Sequence, residues 1–540
     1  MSTTVTAPAP PQTSALERKL RNPKSSKYGK LGIVFFGVML VAGLVYIVSK
    51  LSHDLSSVHE ASYFPYILLG VALLIALGFE FVNGFHDTAN AVATVIYTHS
   101  MEPSIAVVWS GIWNFLGVLT SSGAVAFSIV TLLPIQLILK VSHGAGFSMV
   151  FALLVAAILW NLATWWRGLP ASSSHTMIGS ILGVGVMNQL MEGRTGTSGV
   201  DWEQVMKVAK ALVLSPLIGF AVAALLFLAF KLMLRDPRLY TAPDGDEPPP
   251  WHIRALLIFT CTGVSFFHGS NDGQKGMGLI MLILVGTVPT VYALNHTVDG
   301  RSTQAFAVVS TQVAGSVSRY VDSGATVPNA GDELERFVST HKYQPPTMLA
   351  LQEMVTAIRD ESTGYGTLTN APPAMQANVR NQMYLVSETF RLLPKYGPPM
   401  SPADGKVISS YRTLLDRSTR FIPTWVKVAV ALALGLGTMV GWKRIVVTVG
   451  EKIGKSHLTY AQGAAAEITA MITIGLADGF GLPVSTTHVL SSGVAGTMAA
   501  NHSGLQMSTI RNIALAWFFT LPAAALLSAS LFWLFSTLTK

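Results

Sequence analysis

Two stretches of this chain put acid and amide side chains where hydrocarbon is expected. The first reads Phe81-Val82-Asn83-Gly84-Phe85-His86-Asp87-Thr88-Ala89-Asn90-Ala91 and the second Phe266-Phe267-His268-Gly269-Ser270-Asn271-Asp272-Gly273-Gln274-Lys275-Gly276, with a shared Gly-x-x-Asp core. Two more stretches join a proline to a row of hydroxyls: Leu169-Pro170-Ala171-Ser172-Ser173-Ser174-His175 and Leu482-Pro483-Val484-Ser485-Thr486-Thr487-His488, preceded by Gly168 and Gly481. A buried carboxylate holds a cation or a proton. Hydroxyls in the first turn of a helix, beside unbonded backbone N–H groups and the positive end of the macrodipole, cradle an oxyanion. Together these residues offer joint binding of an anion and a coupling ion.

The elements that carry them must sit in lipid. Half of the residues are hydrophobic and 12% are charged, and the mean hydropathy is +0.48. That composition marks a membrane protein. Apolar stretches lie at about 31–49, 66–98, 104–133, 147–166, 171–190, 208–230, 253–292, 421–441, 457–477, 482–500 and 511–537. The period is helical throughout, which predicts an all-α polytopic protein with about 11–12 transmembrane helices. A charged group at that depth is expensive and marks a site by default. Gly84 and Gly269, three residues before the acids, are expected to break their helices at the midplane.

The duplications order the chain. Asp87 to Ser172 spans 85 positions and Asp272 to Ser485 spans 213. The excess nearly equals the polar segment 294–420, so removing that segment gives two repeats of equal spacing. We read residues 1–30 as a disordered basic tail, 31–50 as an additional transmembrane helix and 66–230 as the first transport repeat. The second repeat is 253–293 continued by 421–540, interrupted by a soluble helical insertion at 294–420. Within the insertion, Met348, Leu351, Val355 and Ile358, then Val386, Phe390 and Leu393, carry helical patterns. Lys and Arg fall in alternate short loops, which keeps the N-terminus cytoplasmic and makes the two acidic motifs antiparallel. Inverted repeats with discontinuous helices are the usual construction of a secondary transporter.

Each candidate residue has a plainer alternative. Hydroxyls in membrane helices often cap or back-bond, but two triplets in the same Leu-Pro and His frame favour an anion cradle of Ser172, Ser173, Ser174, Ser485, Thr486 and Thr487. His175 and His488 are either proton carriers or ordinary hydrogen-bonded imidazoles. Asp87 and Asp272 could be helix caps; because unwound backbone at membrane depth needs a cavity, a coupling role is favoured. Asn90, an oxygen donor, aligns with Lys275, an ammonium without an acceptor. Lys275 would neutralise Asp272 or bind the anion, and it would exclude sodium from that half, which argues for proton coupling. Glu467 is a further candidate for the coupling ion, since an acid in Ala464 to Ala470 is expensive. Glu80, Asn114 and Asn161 fit interhelical hydrogen bonds equally well.

These motifs, with Gly435 to Trp442 and Gly450 to Gly463, resemble the signatures of the inorganic phosphate transporter (PiT) family, and the bacterial low-affinity branch in particular. The resemblance spans about 66–537. It implies uptake of inorganic phosphate, in this branch often as a neutral divalent-metal phosphate moved with a proton. It also implies that the matching hydroxyls Ser172, Ser173, Ser485 and Thr486, with Ser174 and Thr487 beside them, contact phosphate, and that Asp87, Asn90, Asp272 and Asn271 lie around phosphate and the coupling ion. Asn271, Gln274 and Lys275 are taken as candidate phosphate ligands and Asp87, Asn90 and Asp272 as candidates for the coupling ion. His86 and Lys275 depart from the pattern of the sodium-coupled members. A co-transported metal such as Mg²⁺ would travel as cargo, so no fixed metal site and no resident cofactor is expected.

Other classes are set aside. The net charge of +8 lies in short loops, where it meets anionic lipid rather than nucleic acid. No G-x-x-x-x-G-K-[ST] loop occurs, and no enzyme activity is expected. Cys261 stands alone. The expected location is the plasma (inner) membrane, and a homodimer stays open. The alternatives are transport of sulfate or another tetrahedral oxyanion by the same fold, sodium coupling, and a phosphate sensor.

Overall fold

The computed structural model describes residues 27–56, 64–87, 89–133, 135–139, 144–191, 200–243, 247–297, 300–367, 370–440 and 442–538. Every regular element among them is a helix, and one isolated antiparallel bridge joins Gly454 to Leu505. Seven described helices are long and apolar enough to cross a membrane: Gly37–Leu55, Tyr66–Gly84, Pro103–Thr120, Gly146–Trp166, Trp202–Met233, Trp251–Thr287 and Met507–Leu538. Thr424–Val440 passes the same test only together with Pro402–Thr419, to which it is bent by 71°. The larger number expected from hydropathy also counts Ser173–Met191, Tyr460–Gly479 and Thr486–Ala500. Those helices carry the hydroxyls and buried acids, and they fall short in length or apolarity.

One expectation is corrected. Gly269 does not break its helix: Trp251–Thr287 runs 37 residues through the whole second acidic motif. Gly84 likewise lies inside a helix, Phe64–Asp87; Ala89–Tyr97 is helical too, and Thr88 between them lies outside the described residues. Both glycines serve close approach instead. A Cβ on Gly84 would lie 2.1 Å from the Leu434 carbonyl oxygen, and one on Gly269 would lie 2.2 Å from that of Asn114. Small residues at such crossings let helix backbones touch, which is how membrane helices associate without a hydrophobic driving force.

The packing partners are exchanged between the two halves. Phe64–Asp87 lies on Thr424–Val440, and Trp251–Thr287 lies on Pro103–Thr120. Ser173–Met191 runs along Met507–Leu538, just as Thr486–Ala500 runs along Trp202–Met233. The two long helices of these pairs each have 32 residues and one internal proline, Pro216 or Pro522. Gly183 meets the Ala525 carbonyl oxygen and Gly496 that of Phe220, so these pairs too are held at glycine contacts.

Residues 300–419 fold into five helices: Gly300–Ser318, Ala330–Thr340, Pro346–Tyr365, Pro373–Tyr396 and Pro402–Thr419. Met348, Leu351, Val355, Ile358, Val386, Phe390 and Leu393 are all buried. Proline opens three of these helices, where its missing N–H would be unbonded anyway. Asn329 caps a fourth by accepting from Gly331 N and Asp332 N. The group is tied to the rest of the chain by Arg391 with Asp201 at 2.7 Å, Lys395 with Glu203 at 2.9 Å, and Asn381 Nδ2 donating to Leu139 O at 3.1 Å.

Candidate functional site

The two hydroxyl motifs are built alike, bond for bond. Each follows a helix closed by a left-handed glycine, Gly168 at φ +66° and Gly481 at φ +64°. That conformation strains any residue with a Cβ. Around them Leu169 N donates to Thr164 O at 3.0 Å and Leu482 N to Ala477 O at 2.8 Å, the longer-range closure of a Schellman cap. The next helices begin at Ser173 and Thr486. Ser172 Oγ accepts from His175 N at 3.2 Å and Ser485 Oγ from His488 N at 3.1 Å, so both serines cap their helices. A capping serine accepts through its oxygen and keeps its own proton to donate.

The two turns meet. The His175 and His488 rings lie 4.5 Å apart, and His488 stacks on Trp517 at 4.0 Å. Trp517 Nε1 in turn donates to Pro170 O at 2.9 Å. Ser174 Oγ donates to Val484 O at 2.7 Å, joining one hydroxyl motif to the backbone of the other. Ser172, Ser173, Ser174, Ser485, Thr486 and Thr487 are all buried, and Thr486 Oγ1 has no hydrogen-bond partner.

The second acidic motif closes on this junction. Lys275 Nζ lies 2.8 Å from Asp272 Oδ1 and 2.5 Å from Ser174 Oγ, with all three side chains out of contact with solvent. His268 Nε2 is 3.6 Å from Asp272 Oδ2, and its Nδ1 is 2.7 Å from Asn114 Oδ1. Asn271 Nδ2 donates to Leu482 O at 3.1 Å, fastening the acidic helix to the second hydroxyl turn. Breaking one member of a buried pair leaves an uncompensated charge, so the ammonium and carboxylate hold each other in place.

Other candidates sit elsewhere. The Gln274 amide is engaged at both ends: Oε1 accepts from Val125 N at 2.9 Å, and Nε2 donates to Ser270 O at 2.8 Å and Asp478 Oδ1 at 2.6 Å. Glu467 is fully buried and accepts from the Thr260 hydroxyl. The side chains of Asp87 and Asn90 lie outside the described residues. Within the first motif His86 Nε2 is 3.2 Å from Thr164 Oγ1, and Asn83 Nδ2 donates to Glu80 Oε2 at 3.4 Å.

Two participants were undervalued or missed in the sequence. Glu80 lies against Gly276, the residue after Lys275, where a Cβ would sit 2.3 Å from Glu80 Oε1. Asp478 accepts from Ser270 Oγ at 2.6 Å as well as from Gln274. It has no acidic counterpart in the first repeat, where Trp165 stands at the matching position before Gly168 and Leu169, so comparison of the motifs passes over it.

A family model described as the phosphate transporter family matches residues 83–528, a stretch that contains three of the four motifs whole and the first from Asn83 onward. The chain belongs to this family. Among its family relatives are two proteins of Escherichia coli K12 named low-affinity inorganic phosphate transporter PitB and PitA. Each is 41% identical, and the alignments cover 87% of this chain and 96% of theirs. A Bacillus subtilis protein named probable low-affinity inorganic phosphate transporter is 28% identical, with 86% of this chain and 96% of that one covered. A solved structure titled the sodium-dependent phosphate transporter overlays with a TM-score of 0.47 at 20% identity, covering 87% of this chain and 98% of that one. With its set of spanning helices, this family member is a multi-pass membrane protein.

Proposed function

We propose that this protein moves inorganic phosphate across the membrane as a secondary transporter, coupled to protons, carrying phosphate alone or as a neutral divalent-metal complex. The single observation that carries the coupling part is the Lys275 ammonium between Asp272 and Ser174. A fixed cation stands where a mobile sodium ion would otherwise be held. While Asp272 is ionised, it takes up the ammonium charge and repels an anion. A proton on Asp272 frees that charge for phosphate, with Ser174 beside it as a hydroxyl ligand. Proton and phosphate then assist each other's binding by the same factor, which is what a symporter requires.

Phosphate is doubly negative near neutrality, so a divalent metal bound to it lowers the charge that meets the acids. The metal in this reading is cargo. The exchanged packing partners of the two halves support an inverted-repeat arrangement, in which rocking of one half against the other opens the site to alternate sides. The basic short loops support a cytoplasmic N-terminus with the 300–419 helices on the outer face.

The test is radiolabelled phosphate uptake into proteoliposomes, with sulfate as competitor, with and without Mg²⁺. Uptake should survive complete removal of sodium and collapse with an uncoupler. Strict sodium dependence would sink the proton reading, and competition by sulfate at equal concentration would widen the substrate to tetrahedral oxyanions.

A further inference from the structure

A second cation faces a cavity outside this cluster. Where the 300–419 helices meet the helix Trp251–Thr287, a cavity is lined by Thr131, Gly278, Met281, Arg380, Thr419 and Arg420, with Tyr384 and apolar side chains completing its wall. No carboxylate lines it. Arg420 is neutralised by Glu388 at 2.8 Å and Asp416 at 3.2 Å. Arg380 is not: the residue is 7% exposed, and its guanidinium makes no ion pair and leaves Nε without a hydrogen-bond partner among the described residues. It donates to Asn381 Oδ1 at 3.0 Å and stacks 5.1 Å from the Tyr384 ring. Burial lowers its pKa to about 10, so it stays charged at neutral pH. A buried guanidinium with free donors and no counter-charge is an unfavourable arrangement unless an anion or water completes it.

The cavity shares a helix with the transport cluster. Gly278 follows Lys275 by one helical turn, about 5 Å of rise, and Met281 follows by about 9 Å. Between cavity and cluster the route is shut by the helix Ala124–Val130: a Cβ on Gly278 would lie 2.7 Å from the Ala126 carbonyl oxygen, and Val125 N is bonded to Gln274.

We propose that this cavity is an entrance site for a tetrahedral phosphate anion, held by Arg380 before it passes to the Lys275 cluster. The proposal rests on the transport reading given above. The same guanidinium chemistry would also accept the phosphodiester of an anionic lipid, and the lipid composition of the test separates the two sources. Arg380 acts here on capture, so its removal is felt in KM and not in the turnover of a loaded transporter.

The experiment is the initial rate of radiolabelled phosphate uptake against phosphate concentration, in proteoliposomes of phosphatidylcholine alone and with phosphatidylglycerol. Arg380→Gln should raise KM about tenfold, the loss of one charged hydrogen bond, with the maximal rate within about twofold of the unmodified protein in both lipids. Arg380→Lys should hold KM within about twofold, and Thr131→Asp, which sets a carboxylate in the cavity and leaves Arg380 in place, should raise KM as Arg380→Gln does. Wild-type KM in both Arg380→Gln and Thr131→Asp overturns the entrance site. So does an effect confined to vesicles with phosphatidylglycerol, which assigns the guanidinium to lipid. An unmodified protein that takes up no phosphate fails at the transport reading itself, a result distinct from either.

Discussion

Lys275 and Asp272 lie one helical turn apart and form an ion pair of 2.8 Å that solvent does not reach. Because the two charges are three residues apart on one continuous helix, the backbone keeps them on one face and within reach of each other, and the Lys275 side chain can part them only by changing rotamer. The helix thus keeps both groups in the protein interior, and in the proposed mechanism a proton on Asp272 is what changes the state of the pair.

Removing one member takes from the other its nearest opposite charge. Lys275→Met should destabilise the protein by about 3–5 kcal/mol, the range for breaking a buried pair. The double variant Asp272→Asn/Lys275→Met should lose less than Lys275→Met and Asp272→Asn do in sum, since the two effects are not additive for residues in contact. Thermal unfolding in detergent measures all three, and strictly additive losses would refute the pairing.

Asp272→Asn should also abolish phosphate uptake while the protein still inserts. Equilibrium binding of radiolabelled phosphate then separates coupling from recognition. In the unmodified protein phosphate binding should respond to proton concentration, as symport requires, and in Asp272→Asn this response should be flattened. Wild-type uptake rates in the variant would refute the site.

The glycine contacts predict a second way to stop transport. Gly84→Ala and Gly269→Ala each place a methyl group about 2 Å from a carbonyl oxygen of the neighbouring helix. The helices must separate, at a cost of about 1–3 kcal/mol for overpacking. Uptake should fall in both, and in each it should fall further with Val in place of Ala. Full activity in both alanine variants would mean that the crossings are looser than drawn.

Acid should loosen the 300–419 helices. Asp404 accepts from Ser401 Oγ at 2.6 Å and Tyr320 OH at 2.8 Å, and pairs with Arg319, and these hydrogen bonds hold its carboxyl well below the usual range. A depressed folded-state pKa adds stability that is present above the unfolded value and is lost as pH falls below it. The melting temperature should therefore drop below about pH 4, the unfolded value for Asp, and the drop should be smaller in Asp404→Asn. Equal acid sensitivity in both proteins, followed by thermal unfolding against pH, would remove Asp404 from the account.

Much of this was legible in the sequence because lipid restricts what a chain can do. Composition alone required membrane helices, and the duplicated motifs named Asp272, Lys275 and Ser174 before any distance was known. The expected break at Gly269 failed for a physical reason. Glycine is permissive of a break without imposing one, and Trp251–Thr287 keeps its backbone bonds while the missing Cβ lets Asn114 approach. Gln274 stands in the second acidic motif and is a candidate phosphate ligand by sequence. Its bonds to Val125 and Asp478 come from segments far away in the chain, and no local pattern encodes them.

The sequence by itself determined the helical class, the family and the residues of the two kinds of motif, because residue type and spacing fix hydropathy, caps and charge. Only the tertiary structure decided that His175 meets His488, that Ser174 bonds Val484 across the two halves, and that Lys275 reaches both Asp272 and Ser174. The reason is that contacts between repeats depend on how closely the helices approach. Glycines at the crossings set that approach, and it becomes definite only once both surfaces are present.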